Sequence, residues 1–154
     1  MPLIVEREAR FSGPGTNCMS GEFVDTNLLI YSHDGGAGTK HDKAVDLLER
    51  LCEEGTGALS TQVLVEFYSA ATRKLGMSSA EAEAVMHDLG GWSIHRPAHA
   101  DLLKAAQLQR RHKLAWWDAL ILIGAIELDC TVLWTEDFSD GQRFGKLTIR
   151  NPFR

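Results

Sequence analysis

Four carboxylates stand in settings that a solvated surface residue would not need. Asp25 is set inside Glu22-Phe23-Val24-Asp25-Thr26-Asn27-Leu28-Leu29-Ile30-Tyr31, a run otherwise fit for a core strand. A charge there is costly unless it is hydrogen-bonded or holds a metal. Glu66 lies among large apolar neighbours in Val63-Leu64-Val65-Glu66-Phe67-Tyr68, and Asp118 opens the nearly wholly apolar segment Trp116-Trp117-Asp118-Ala119-Leu120. Asp137 follows the apolar Val132-Leu133-Trp134, in Thr135-Glu136-Asp137-Phe138-Ser139-Asp140. Carboxylates crowded together without a cation repel one another, and some stay protonated. A hard divalent ion such as Mg²⁺ or Mn²⁺, which prefers oxygen ligands and retained waters, resolves that conflict. The chemistry such a cluster serves is phosphodiester hydrolysis: an activated water, a neutralised phosphate and a stabilised leaving oxygen. Taken singly, each acid has a plainer explanation. Asp118 suits a helix N-terminus, Glu66 a solvated helix position, and Asp137 and Asp140 a turn.

The elements that must position these groups alternate between strand and helix. A strand over Phe23-Val24-Asp25 leads to the loop Asp34-Gly35-Gly36-Ala37-Gly38 and a helix from Thr39 or Lys40, with Ala44, Leu47, Leu48 and Leu51 at helical spacing and Gly55 at its end. Ala58-Leu59-Ser60 is the second strand, and Ser60 or Thr61 caps a helix through Val63, Leu64, Phe67 and Ala71 that stops at Gly76. Ser78 or Ser79 starts another helix, with Glu81 in its first turn. Trp92-Ser93-Ile94 follows as a strand, then helices opened by Pro97 and spanning Ala115 to Leu128, then strands Thr131–Trp134 and Leu147–Ile149. Long helical crossovers between strands predict one α/β domain, with a mostly parallel central sheet flanked by helices on both faces. In such sheets functional groups collect at the C-terminal ends of the strands, where Asp25 and Asp137 fall.

Length and composition bound the reading. A chain of 154 residues, 44% hydrophobic and 24% charged, suits one globular domain. Residues 1–20 read as a loosely ordered extension, with a turn-rich segment at 11–17, Met19 as an alternative start and an edge strand at Leu3-Ile4-Val5 as the other option; residues 21–154 read as the domain. No apolar run approaches the roughly 20 residues that cross a membrane, and no secretory pattern precedes the domain, so the expected location is the cytoplasm. Cys18, Cys52 and Cys130 lack zinc-type spacing and read as reduced thiols, the latter two as small apolar packers. A net charge of −5 argues against a general nucleic-acid binder but not against an enzyme that meets a polyanion through metal and a local basic patch. Arg110, Arg111 and Lys113 form the densest basic run, and Arg73 lies two helical turns beyond Glu66; both are candidate RNA contacts. Trp116 is placed to stack on a base, whereas Trp117 is expected to pack in the core.

Val-Asp-Thr-Asn at residues 24–27, Glu66 in a helix, Trp117-Asp118-Ala119 before an apolar helix and Thr135-Glu136-Asp137 after a strand together resemble the PIN-domain ribonucleases, and most closely the VapC toxins of bacterial toxin–antitoxin pairs. The similarity covers about residues 21 to 153, and the tail through Leu147-Thr148-Ile149-Arg150-Asn151-Pro152-Phe153 is like one VapC-type branch. The resemblance implies that Asp25, Glu66, Asp118 and Asp137 are the catalytic and metal-binding acids, with Asp140 sharing or replacing Asp137, and that Asn27 and Thr135 support them. It also implies one or two Mg²⁺ or Mn²⁺ ions, RNA cleavage leaving 5′-phosphate and 3′-hydroxyl ends, a homodimer with a shared RNA groove, and a small antitoxin whose tail blocks the site. The helices between Thr61 and Gly90 are the expected source of part of a partner interface.

Three other readings compete. An inert PIN-like module would use its acidic face for a partner, and an RNA-processing nuclease would do the same chemistry without an antitoxin. A receiver-like phosphoacceptor domain also gathers acids at strand ends, but wants a paired acidic motif on the first strand and a late strand-end lysine, and neither is evident.

Overall fold

The computed structural model describes residues 20–154. The expectations for an extension, for an edge strand at Leu3-Ile4-Val5 and for Cys18 lie outside the described residues. Strand β1 (Glu22–Val24) pairs in parallel with β2 (Gly57–Ser60) on one side and with β4 (Val132–Trp134) on the other. Outside these, β3 (Ser93–His95) joins β2 and β6 (Leu147–Arg150) joins β4, again in parallel, while β5 (Arg143–Phe144) pairs antiparallel with β6. The order across the sheet is β3-β2-β1-β4-β6-β5.

Helices carry the crossovers from β1 to β4, while β4 reaches β6 through a loop and β5. Between β1 and β2 run α1 (Thr26–Ser32) and α2 (Thr39–Glu54); between β2 and β3, α3 (Thr61–Lys74) and α4 (Ser79–Asp88); between β3 and β4, α5 (His99–His112) and α6 (Trp116–Glu127). Successive strand residues point to opposite faces. Phe23 and Val24 are both fully buried, as are Ala58 and Leu59, so both faces of the sheet are covered. The α/β architecture predicted from the strand–helix alternation is the one observed.

The helix boundaries follow local chemistry. Ser60 accepts from the Val63 amide at the start of α3, and Ser78 and Glu81 form a reciprocal capping box at the start of α4. Gly55 closes α2 with φ 68°, a left-handed conformation that favours glycine. In α6 every residue from Ala119 to Ala125 is buried. Such an all-round apolar helix belongs in the interior rather than on a surface. Gly124 lets it approach the sheet: a Cβ there would meet the Phe23 ring at 3.3 Å.

Three details differ from the sequence reading. The Glu22–Tyr31 run is not one strand-like segment, because the strand ends at Val24 and α1 begins at Thr26. Asp25 is its N-cap, in extended conformation, with Oδ1 accepting from the Thr26 amide at 2.7 Å. Two turns of helix are too short to establish a period, so an apolar run of this length reads equally well as strand. The second difference is the two-residue strand β5, which carries no sequence signal of its own and forms because the chain folds back on β6. The third concerns the thiols: Cys130 is buried as expected, but Cys52 is only half-buried on α2.

Candidate metal centre at the strand ends

The C-terminal ends of β1, β2 and β4 open on one edge of the sheet, and the four acids come from just beyond them or from the helix facing them. Asp25 follows β1, Glu66 lies in the second turn of the helix after β2, and Asp137 follows β4. Asp118, in the first turn of α6, completes the set. The charges of Asp137 and Glu66 act on both Asp25 and Asp118, so the structure brings all four into one electrostatic neighbourhood.

Asp25 is the buried member. Burial pushes its carboxyl up to about 7, and the neighbouring Asp137 and Glu66 push in the same direction, against the Thr135 hydroxyl and the Thr26 amide that favour its charged form. Thr135 Oγ donates to Asp25 Oδ2 at 2.8 Å and accepts from the Asp137 amide at 3.1 Å. Asn27 Nδ2 donates to Asp137 Oδ2 at 3.1 Å. Asn27 and Thr135, the two residues expected to support the acids, thus bond to Asp137 and to Asp25. Asp118 is also raised, by burial first and then by Asp137 and Glu66.

Sequence reasoning missed several participants. The Thr26 hydroxyl donates to Glu66 Oε2 at 2.6 Å, tying the residue after the first acid to the second. Gln62 Nε2 donates to Glu66 Oε1 at 2.8 Å and to the Trp117 carbonyl at 3.2 Å, coupling α3 to the start of α6. Glu136, between Thr135 and Asp137, accepts from the Tyr31 hydroxyl at 2.5 Å and from Lys40 Nζ at 2.8 Å. Lys40 lies 4.8 Å from the Tyr31 ring and 5.5 Å from that of Phe153. Tyr31 is one helical turn beyond Asn27, so one face of α1 holds the 135–137 loop at two points. Only the i, i+4 spacing of Asn27 and Tyr31 could have flagged this, and only with α1 known to be a helix.

Other expected residues lie elsewhere. Asp140 Oδ1 accepts from the Asn151 amide at 2.8 Å, which ties this carboxylate to the C-terminal segment. Arg73 Nε donates to the Ser69 carbonyl of its own helix. The His112 ring meets Phe144 at 5.2 Å, which places the basic end of α5, with exposed Arg110, Arg111 and Lys113, beside β5. Among the described residues none of these four cations bonds to the acids. The tryptophans exchange their expected places. Trp116 packs against Ala105, Ala119, Leu120 and Ile123, whereas Trp117 is 62% exposed.

The donor set fits a hard cation that keeps part of its water. Among the described residues no three acidic, histidine or cysteine side chains form a ready-made coordination shell. Mg²⁺ is usually bound through one or two carboxylates with several waters retained, which does not require one. Asn27 Oδ1 is buried without a hydrogen-bond partner beside Asp137, an oxygen suited to a cation or its hydration shell.

The PIN domain family matches residues 23–140, and the chain belongs to it. Three solved structures share the fold. The first is a toxin–antitoxin complex from Klebsiella pneumoniae, with a TM-score of 0.66 at 20% identity over 86% of this chain and 98% of that one. VapBC2 from Rickettsia felis, bound to a DNA fragment from its promoter, gives 0.61 at 18% identity over 84% and 97%. VapC20 from Mycobacterium tuberculosis, a sarcin–ricin loop cleaving toxin, gives 0.60 at 19% identity over 73% and 87%. No curated protein matches the chain by sequence.

Proposed function

We propose that the chain is a Mg²⁺- or Mn²⁺-dependent endoribonuclease of VapC type, the toxin of a pair whose other member is a small antitoxin protein. The observation that carries this reading is the convergence of Asp25, Glu66, Asp118 and Asp137 in a PIN-family fold. The toxin–antitoxin neighbours support the antitoxin and the RNA substrate, and the cytoplasm is the compartment where both are met. A homodimer, the extension at residues 1–20 and phosphate contacts from Arg73, Arg110, Arg111 and Lys113 belong to the same reading.

Asp25, Glu66, Asp118 and Asp137 would hold the cation, with Asn27 Oδ1 facing it or its waters. When bound, the ion supplies an activated water and positive charge for the phosphate and the leaving oxygen. The chain's part is orientation. Thr26 and Gln62 fix both oxygens of Glu66, Thr135 fixes Asp25 and the Asp137 backbone, and Asn27 fixes the Asp137 side chain. Burial makes the ionised form of Asp25 costly, a cost that a bound cation would offset.

Antitoxin-free protein incubated with a labelled RNA pool tests the proposal. Discrete fragments should appear with Mn²⁺ or Mg²⁺, vanish with EDTA, and fall to background in folded Asp25→Ala and Asp118→Ala. Undiminished cleavage by either variant with saturating metal would refute the assignment.

A further inference from the structure

Next to the acids lies a feature that metal chemistry leaves unused. Thr61, Gln62, Val65 and Glu66 of α3, Pro97, Leu102 of α5, and Trp117 and Leu120 of α6 line an open groove of about 480 Å³. That volume is within the ordinary range for ligand sites, roughly 300–1,000 Å³. Val65 is 69% exposed, Leu102 40% and Trp117 62%, so the apolar wall faces solvent. The lining contains no cation, and its one charge is Glu66. A phosphate backbone would gain nothing there. A flat, uncharged aromatic group would.

The groove and the acid cluster share a frame. Glu66 belongs to both, and Gln62 binds the Glu66 carboxylate with the same amide nitrogen that binds the Trp117 carbonyl. Any nucleic acid whose scissile phosphate reaches the acids brings its neighbouring nucleotides with it through covalent bonds. The groove shares Glu66 with the cluster, so it adjoins the place such a phosphate would take.

We propose that this groove is a subsite for one unpaired base of the substrate, flanking the scissile phosphate and stacked on the Trp117 indole. The substrate class is then RNA that is single-stranded at the cut, because a base held in a duplex cannot present its face to a protein ring. Affinity at that position comes from stacking on the Trp117 indole, which every base can offer. The inference rests on the nuclease reading and extends it. It also gives Trp117, rather than Trp116, the base contact.

The test uses full-length, antitoxin-free protein and a short fluorescein-labelled single-stranded RNA in Ca²⁺, read by anisotropy, with one abasic position moved along the strand. Stacking of one base on an aromatic ring corresponds to about 5- to 150-fold in affinity. Trp117→Ala should weaken binding by that factor and Trp117→Phe should restore most of it. One abasic position should weaken wild type similarly but cost Trp117→Ala nothing more. In Mn²⁺, Trp117→Ala should raise KM while leaving kcat nearly unchanged. Equal affinity of wild type and Trp117→Ala would overturn the subsite and leave the nuclease intact. So would a Trp117→Ala protein that turns from dimer to monomer in light scattering while every abasic position costs both proteins the same, since the groove would then be an interface between copies. No binding by wild type, together with no metal-dependent cleavage, would overturn the nuclease reading itself.

Discussion

A buried acid kept for function should destabilise the metal-free protein, and Asp25→Asn measures by how much. In the unfolded chain the carboxyl ionises near its ordinary 3.8, whereas in the folded protein it stays protonated until about pH 7. Between those values the native state holds a proton that the unfolded state has lost, so stability falls as pH rises through the window and levels off above 7. A gap of about 3 pH units at about 1.4 kcal/mol each gives a cost near 4 kcal/mol at pH 8. Asparagine removes the charge but spoils one of the two bonds that Asp25 accepts, from the Thr26 amide or the Thr135 hydroxyl, at about 1–3 kcal/mol. The net expectation is a gain of about 1–3 kcal/mol, or roughly 3–10 °C in Tm for a chain of this size. Thermal unfolding followed by circular dichroism in EDTA should show Asp25→Asn above wild type at pH 8, with the gap closing to about zero or reversing at pH 5, where wild type has lost only about 1.7 of the 4 kcal/mol. Saturating Mn²⁺ should then reverse the order, adding about 3 kcal/mol to wild type at a hundredfold excess over Kd and little to the variant. A variant less stable than wild type at pH 8 in EDTA, with a difference that ignores pH, would refute the account of Asp25.

Two further perturbations probe the frame around the site. Glu136→Ala removes the acceptor shared by Tyr31 and Lys40 and frees the 135–137 loop; Mn²⁺ affinity by calorimetry should drop about 10- to 100-fold with Tm little changed, as for other groups that orient ligands. Gly57→Ala places a Cβ 2.5 Å from the Trp92 ring, and urea unfolding should show a loss of about 1–3 kcal/mol from overpacking, with the cleavage pattern unaffected.

The sequence alone determined the class of fold and singled out four acids that the fold gathers into one electrostatic neighbourhood. Strands separated by helical crossovers admit few topologies besides a parallel sheet covered on both faces. The consecutive buried pairs Phe23–Val24 and Ala58–Leu59 are the structural form of that pattern. Asp25 was legible because a carboxylate in an apolar run is costly wherever the run ends up. Ser60, Ser78 and Gly55 marked helix ends because capping is a local transaction between neighbours.

What only the tertiary structure decided depends on partners far apart in the chain. Thr26 reaches Glu66 across 40 residues, and Asn27 reaches Asp137 across 110, so neither bond leaves a mark on local composition. The bond from the Asn151 amide to Asp140, across 11 residues, likewise depends on where the C-terminal segment lies. The exchange of roles between Trp116 and Trp117 has the same origin. Both indoles have similar hydrophobicity, and the packing of α5 against α6 partly covers one and leaves the other at the mouth of the groove. Residue type sets what burial costs, but which of two adjacent side chains is buried is fixed only when the neighbouring helix takes its place.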